Sequence, residues 1–326
     1  MREIVTVENL KAYYFIRFMG NQTTVRAVNG VDFKVCEGEI YGIAGESGCG
    51  KSTLLKVLFG YTKPPLRLVD GSVIYDFDSQ KLNITAVDHQ LLRRVRWKYI
   101  SYVPQGSMNV LNPVRKVRKI FMDVVAEHTD MSKEEAFYEV EKYFEALGLP
   151  LRVLDSFPHQ LSGGMRQRVT IALATILKPK VILADEPTTA LDVVVQRGVI
   201  QLLKDIHDEQ KCTLIIVTHD MGVHAHLSSR ICVMYAGKIV EEAPSNKMFK
   251  DPLHPYTKLL INSLPSLGDR RRREGIPGAP PSLSNLPPGC PFHPRCPSAR
   301  SVCMEREPAL VTVERDRRVA CWMVEG

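Results

Sequence analysis

Residues 45–52 read Gly45-Glu46-Ser47-Gly48-Cys49-Gly50-Lys51-Ser52, a GxxxxGKS string, and no other stretch constrains the fold as much. The apolar run at 40–44 before it reads as a buried strand, and Thr53 with residues 54–58 after it as the first turns of a helix. Strand, glycine-rich loop and helix in that order form the setting a phosphate-binding loop requires. The glycines let the backbone curl so that successive N–H groups point inward at phosphate oxygens. The helix N-terminus adds partial positive charge and Lys51 a full one. Ser52 is placed to put its hydroxyl on a Mg²⁺ bridging the outer phosphates. The plainer reading is a glycine-rich turn without a ligand, and the flanking strand and helix weigh against it.

With 326 residues, 44% of them apolar, the chain can bury a sizeable core in one large or two smaller domains. No run approaches 18 consecutive apolar residues, so no membrane span is expected. The N-terminal residues do not read as a secretory signal, which places the chain in the cytosol with its eight cysteines reduced. Of the net charge of +7, residues 270–326 supply +4, from ten Arg against six acids. A solvated basic tail accounts for this, and so does contact with an acidic partner or anionic lipid head groups.

Along the chain, residues 3–10, 25–35, 39–45 and 71–75 read as strands, and 50–60 and 88–97 as helical. A strand at 100–105 ends at Pro104 and carries Gln105. From 116 to 148 the apolar period is helical, with Ser132 and Glu135 forming a capping box for the second helix. Helices follow at 164–177 and 193–210, strands at 181–184 and 213–218, and a hairpin at 231–241. After about residue 250, eight prolines from Pro252 to Pro288 preclude long regular elements, and Arg270–Arg273 forms a four-arginine run.

Two further stretches carry chemistry. The apolar strand 181–184 ends in Asp185-Glu186, at the sheet edge where ligands bind in parallel α/β folds. There Asp185 can hold Mg²⁺ through water, and Glu186 can polarise an attacking water. Ser162, Gly163 and Gly164 open a second helix start suited to anions, more than 100 residues after the first. One triphosphate does not need two cradles; two chains set head to tail do.

The phosphate loop, Gln105, the Leu-Ser-Gly-Gly string at 161–164 with Gln167, the Ala-Asp-Glu-Pro at 184–187, Asp192 and His219 occur in one order and spacing over residues 3–245. In these features the chain resembles the ATP-binding cassette (ABC) ATPases. The resemblance implies an α/β fold: a RecA-like core, an antiparallel β subdomain and an inserted helical subdomain. It implies two cassettes sandwiching two ATP, each site joining one phosphate loop to the other chain's Ser162-Gly163-Gly164. His219 would contact the γ-phosphate, Asp192 would lie at the dimer seam, and Gln105 would sense Mg²⁺ and the membrane partner. Tyr14 falls where the family stacks an aromatic on adenine, with Tyr13 as its rival, because a one-residue slip exchanges their faces. Cys49 inside the loop is expected to react with alkylating agents when ATP is absent; the plainer reading is a small residue that fits.

The tail narrows the family. His254-Pro255-Tyr256, Ile276-Pro277-Gly278 and Cys290-Pro291-Phe292-His293-Pro294-Arg295-Cys296 resemble the C-terminal extension of oligopeptide/dipeptide importer ATPases. Cys290, Cys296, Cys303 and Cys321 offer four thiols without the C-x2-C knuckles usual for zinc. The resemblance associates them with a 4Fe–4S cluster; zinc, and free or disulfide-bonded cysteines, are the alternatives.

The resulting expectation is a nucleotide-binding core with β subdomain at 1–87 and 169–250, a helical subdomain at 88–168, and a Pro/Cys-rich extension at 251–326. The chain would energise an importer of peptides or related solutes such as oligosaccharides or nickel. Its implied partners are a related ATPase subunit, two transmembrane permeases and, indirectly, an extracytoplasmic solute-binding protein. It would sit on the cytoplasmic face of the membrane. A soluble cassette ATPase acting on nucleic acid or in cluster assembly is the rival. The absence of a second cassette, a long coiled coil or an aromatic-rich basic groove speaks against it. A non-hydrolysing sensor is a third reading, opposed by Glu186 and His219.

Overall fold

Val5, Val7, Leu10 and Ala12 are buried on one strand, and Val28, Val31, Phe33 and Val35 on its neighbour. This near-alternating pattern gives an antiparallel sheet with one apolar face. In the computed structural model, which describes residues 2–18, 20–78, 80–106, 110–264 and 275–324, the two strands run Glu3–Phe18 and Asn21–Cys36. Leu66–Phe77 and Gln80–Asn83 complete a four-stranded sheet with Glu3–Phe18 second in order. Both first strands exceed the stretches read from sequence, because pairing continues through residues 13–18 and 21–26.

The chain divides into two compact units, residues 1–86 with 216–326, and residues 87–215. The first holds the antiparallel sheet and the wholly buried strand Ile40–Ala44, which pairs parallel with Arg230–Tyr235. Arg230–Tyr235 forms a hairpin with Lys238–Pro244. Helix Lys51–Leu58 follows the phosphate loop and buries Leu54, Leu55, Val57 and Leu58.

The C-terminal residues belong to this same unit rather than standing apart. Strand Arg317–Val319 pairs with Lys238–Pro244, and Val311–Glu314 pairs with Arg317–Val319. Phe292, 1% exposed, packs against Tyr235, Tyr256 and His254. Despite its prolines the region also forms helix Pro255–Asn262, where Pro255 occupies the first turn and costs no hydrogen bond. Arg270–Arg273 lie outside the described residues.

In the second unit, Ile100–Val103 pairs parallel with Val181–Asp185, in register Val103 to Ala184. Helices Val117–His128 and Lys133–Ala146 pack through Phe121 and Phe144, edge to face at 5.0 Å. Ser132 accepts from the Glu135 N–H while Glu135 accepts from the Ser132 N–H, the capping box expected from sequence. Helices Gly163–Thr175 and Val193–Gln210 lie in the same unit. Among the described residues no helix is long and apolar enough to cross a membrane.

Candidate functional site: a phosphate cradle and two capped helix starts

In the first unit the phosphate loop leaves Ile40–Ala44 at Gly45 and enters the helix at Lys51. Gly45 and Gly50 have φ of +143° and +109°, in the half of backbone space that L side chains avoid. A Cβ at Gly45 would overlap the Met234 carbonyl, and one at Gly50 the Ala27 carbonyl. The loop can therefore follow this path only with glycine at both places. Ser47 and Gly48 are exposed while Cys49 and Lys51 are buried, so the loop crest faces solvent and its base is anchored.

Lys51 donates from Nζ to the carbonyls of Gly45 at 2.7 Å and Glu46 at 2.9 Å, arching its charge over the loop's first half. Burial pushes the Cys49 thiol up, against the opposing pull of Lys51, whose Nζ is 3.8 Å from the sulfur. Cys49 is 6% exposed, which restricts the access of an alkylating agent to its sulfur. Glycine backbone, a helix start and a buried ammonium together suit a polyphosphate with its Mg²⁺.

Tyr14 and Thr53 share a hydroxyl–hydroxyl hydrogen bond at 3.2 Å, which turns Tyr14 toward the helix after the phosphate loop. Tyr13 instead donates to Asn29 Oδ1 at 2.6 Å. Ser52 is half-buried in the first turn of that helix, and His219 is exposed just before helix Met221–Leu227. Behind the phosphate-loop strand lies His224, fully buried, with Nδ1 3.0 Å from the Ser228 hydroxyl and Nε2 3.3 Å from the Thr218 carbonyl. Its ring stands against Gly42, where a Cβ would meet Nδ1. Burial lowers its pKa to about 4, so it is neutral near pH 7.

In the second unit, Asp185 ends the strand Val181–Asp185 and accepts from the Tyr102 hydroxyl at 2.8 Å. Gln105 is exposed two residues beyond the parallel neighbour Ile100–Val103. Glu186 has φ of +44°, an uncommon conformation for a non-glycine residue, and its carboxylate accepts from the Thr189 hydroxyl at 2.6 Å. Ser162 caps helix Gly163–Thr175 by accepting from the Met165 N–H at 3.2 Å. Asp192 caps Val193–Gln210 through the Val195 N–H at 2.9 Å. Gly164 lies against Val195, with no room for a side chain, and this brings the two helix starts side by side. Ser162 and Asp192 are both exposed.

The expected metal cluster in the tail is overturned. Cys290, Cys296, Cys303 and Cys321 line one small cavity of about 20 Å³. All are free, and among the described residues no three His, Cys, Asp or Glu side chains are placed to share a metal ion. Burial pushes the Cys290 thiol up to about 11 and raises those of Cys296 and Cys321. The tail is held instead by Phe292 in its aromatic pocket and by arginine–glutamate pairs.

Sequence reasoning missed those pairs. Arg295 binds the phosphate-loop carboxylate of Glu46, Arg317 binds Glu241, and Arg318 binds Glu242. Each joins positions far apart in sequence, and no spacing rule announces such a pair. It also missed the contact of Tyr256, whose hydroxyl accepts from the Glu46 N–H at 2.8 Å.

Residues 28–189 match the family model described as ABC transporter, and residues 240–303 match that described as oligopeptide/dipeptide transporter, C-terminal region. The chain is 40% identical over 328 residues to the dipeptide transport ATP-binding protein DppD of Caldanaerobacter subterraneus, covering 100% of this chain and 98% of that protein. It is 37% identical to the oligopeptide transport ATP-binding protein AppD of Bacillus subtilis, with the same coverage. Among solved structures, the dimeric post-hydrolysis state of the ATP-binding cassette MJ0796 bound to ADP and Pi superposes with TM-score 0.64 at 30% identity, covering 74% of this chain and 99% of that one. CbiO1 from Clostridium perfringens, part of the ABC transporter complex CbiONQ, superposes with TM-score 0.63 at 25% identity, covering 77% and 92%. The RecA-like cassette core with a helical subdomain is common to these structures and this chain.

Proposed function

This chain belongs to the ATP-binding subunits of the oligopeptide/dipeptide ABC importers, whose work is to bind and hydrolyse ATP, and we propose the following roles for its residues. The backbone amides of 48–53 and the Lys51 ammonium bind the outer phosphates. Ser52 and Asp185 hold the accompanying Mg²⁺, Asp185 through water, with Gln105 answering to the same ion. Glu186 takes a proton from the attacking water, and its fixed backbone and the Thr189 hydroxyl orient its carboxylate for that task. His219 contacts the γ-phosphate, and Tyr14 stacks on adenine.

The single strongest support is the cradle at 45–53, whose path tolerates only glycine at two positions and whose lysine is buried over its mouth. Ser162, Gly163 and Gly164 of this chain complete the site of a second cassette, and Asp192 lies at the seam between them. The adjacency and exposure of those two helix starts support this. The second cassette is a related ATPase chain, so the working pair is a heterodimer. It docks on two permease subunits at the cytoplasmic face of the membrane, and an extracytoplasmic binding protein delivers the solute. Dipeptides or oligopeptides are the cargo, in line with the names of the relatives.

Affinity purification of the full chain from solubilised membranes tests this reading. It predicts recovery of a related ATPase and two permeases, with ATP hydrolysis stimulated by peptide-loaded binding protein. Recovery free of membrane proteins, with hydrolysis stimulated by DNA or RNA, would overturn it.

A further inference from the structure

Glu46, the second residue of the phosphate loop, is where the C-terminal segment meets the nucleotide cradle. Its carboxylate accepts from both terminal nitrogens of Arg295, at 2.6 and 2.9 Å, in a forked pair across 249 positions of sequence. Its backbone N–H donates to the Tyr256 hydroxyl at 2.8 Å. Its carbonyl accepts from Lys51 Nζ at 2.9 Å. All three polar groups of one residue are thus committed: two to the chain beyond residue 250, the third to the phosphate-binding lysine.

Arg295 is itself immobilised. Its side chain is 4% exposed. Nε donates to the Pro277 carbonyl at 2.7 Å, and a terminal nitrogen donates to the Tyr235 hydroxyl at 3.2 Å. The guanidinium lies 5.8 Å from the Tyr235 ring centroid and 6.0 Å from that of Phe292. A guanidinium gripped on every side transmits its position to what it holds. A lysine here would keep the charge and lose the fork.

We propose that Arg295 is a positioning residue for ATP: acting through Glu46, it preforms the first half of the phosphate loop and so sets nucleotide affinity from the C-terminal segment. This rests on the assignment of the loop as the ATP site. Without the pair, Glu46 and the carbonyl that steadies Lys51 become free to move, and ATP binding must order them first. Because the contact shapes the loop and does not touch the reacting groups, its effect falls on ATP binding more than on the chemical step.

The test uses the full chain, with displacement of a fluorescent ATP analogue by ATP, steady-state hydrolysis and melting temperature measured together. Arg295→Ala and Glu46→Gln should each weaken ATP binding roughly tenfold, with the double variant no weaker than either alone, since one interaction is lost in all three. Arg295→Lys should fall between wild type and Arg295→Ala. The KM for ATP should rise by a larger factor than kcat falls. Unchanged ATP affinity in Arg295→Ala, even with a lowered melting temperature, would overturn the proposal, as would additive losses in the double variant. If Arg295→Ala does not fold, Glu46→Gln and Arg295→Lys decide in the same way. A wild-type chain that binds no ATP would overturn the functional reading itself, an outcome distinct from a wild type that binds with variants indistinguishable from it.

Discussion

Arg317 donates to Glu241 at 2.8 Å, with side chains 2% and 0% exposed. Glu241 also accepts the backbone N–H groups of Leu253 and His254, each at 2.9 Å. The pair thus fastens a C-terminal strand to the core hairpin and orders the turn that leads to Tyr256. Arg317→Ala would leave a buried carboxylate without its counter-charge, at a cost of roughly 3–5 kcal/mol. Denaturant unfolding of the full chain should reveal that loss. Arg318→Ala, on a more exposed side chain, should cost less.

The cradle's dependence on glycine can be separated from general backbone strain. Gly50→Ala puts a methyl group onto the Ala27 carbonyl. The loop must then open, so ATP affinity should fall at least about tenfold together with stability. Gly38→Ala, also at positive φ but with open space around it, should lower the melting temperature alone. Isothermal titration with ATP distinguishes the two.

Tyr14 and Tyr13 are neighbours facing different partners, Thr53 and Asn29. Tyr14→Ala should weaken ATP binding about tenfold through lost stacking. Tyr13→Ala should leave it within about twofold. The reverse order would reassign the adenine contact.

Acid should destabilise the chain in a defined window. His224 is held neutral by burial, its pKa lowered from 6.5 to about 4 in the folded state. As pH falls below 6.5 the unfolded chain takes up a proton that the folded chain refuses, so stability is complete above 6.5 and declines down to about 4. The loss from this residue is on the order of 3 kcal/mol. His254, lowered to about 3 by burial, acts in the same direction. Unfolding free energies measured between pH 7 and pH 4 should show this slope, and it should be shallower in His224→Gln.

The sequence reading was strongest where chemistry forces a local string. The phosphate loop, the Ser132 capping box and the buried strand at 181–185 are legible because glycine φ, cap hydrogen bonds and apolar periodicity act over a few residues. The tail was misread for the converse reason. Its prolines suggested irregular chain and the resemblance carried by its cysteines a metal cluster, whereas Phe292 fills an aromatic pocket and Arg295 and Arg317 find carboxylates 249 and 76 positions away. The strand Arg317–Val319 also went unread, because three residues form a strand only by pairing with Lys238–Pro244. The positive φ of Glu186 has no sequence signal at all.

If Glu186 activates the attacking water, ATP turnover by this chain depends on its carboxylate. Bound ATP and released phosphate should be measured in parallel for the assembled complex carrying wild-type chain or Glu186→Gln. Glu186→Gln is expected to retain ATP binding while phosphate release falls roughly 10²–10⁴-fold. Wild-type phosphate release from Glu186→Gln would contradict it.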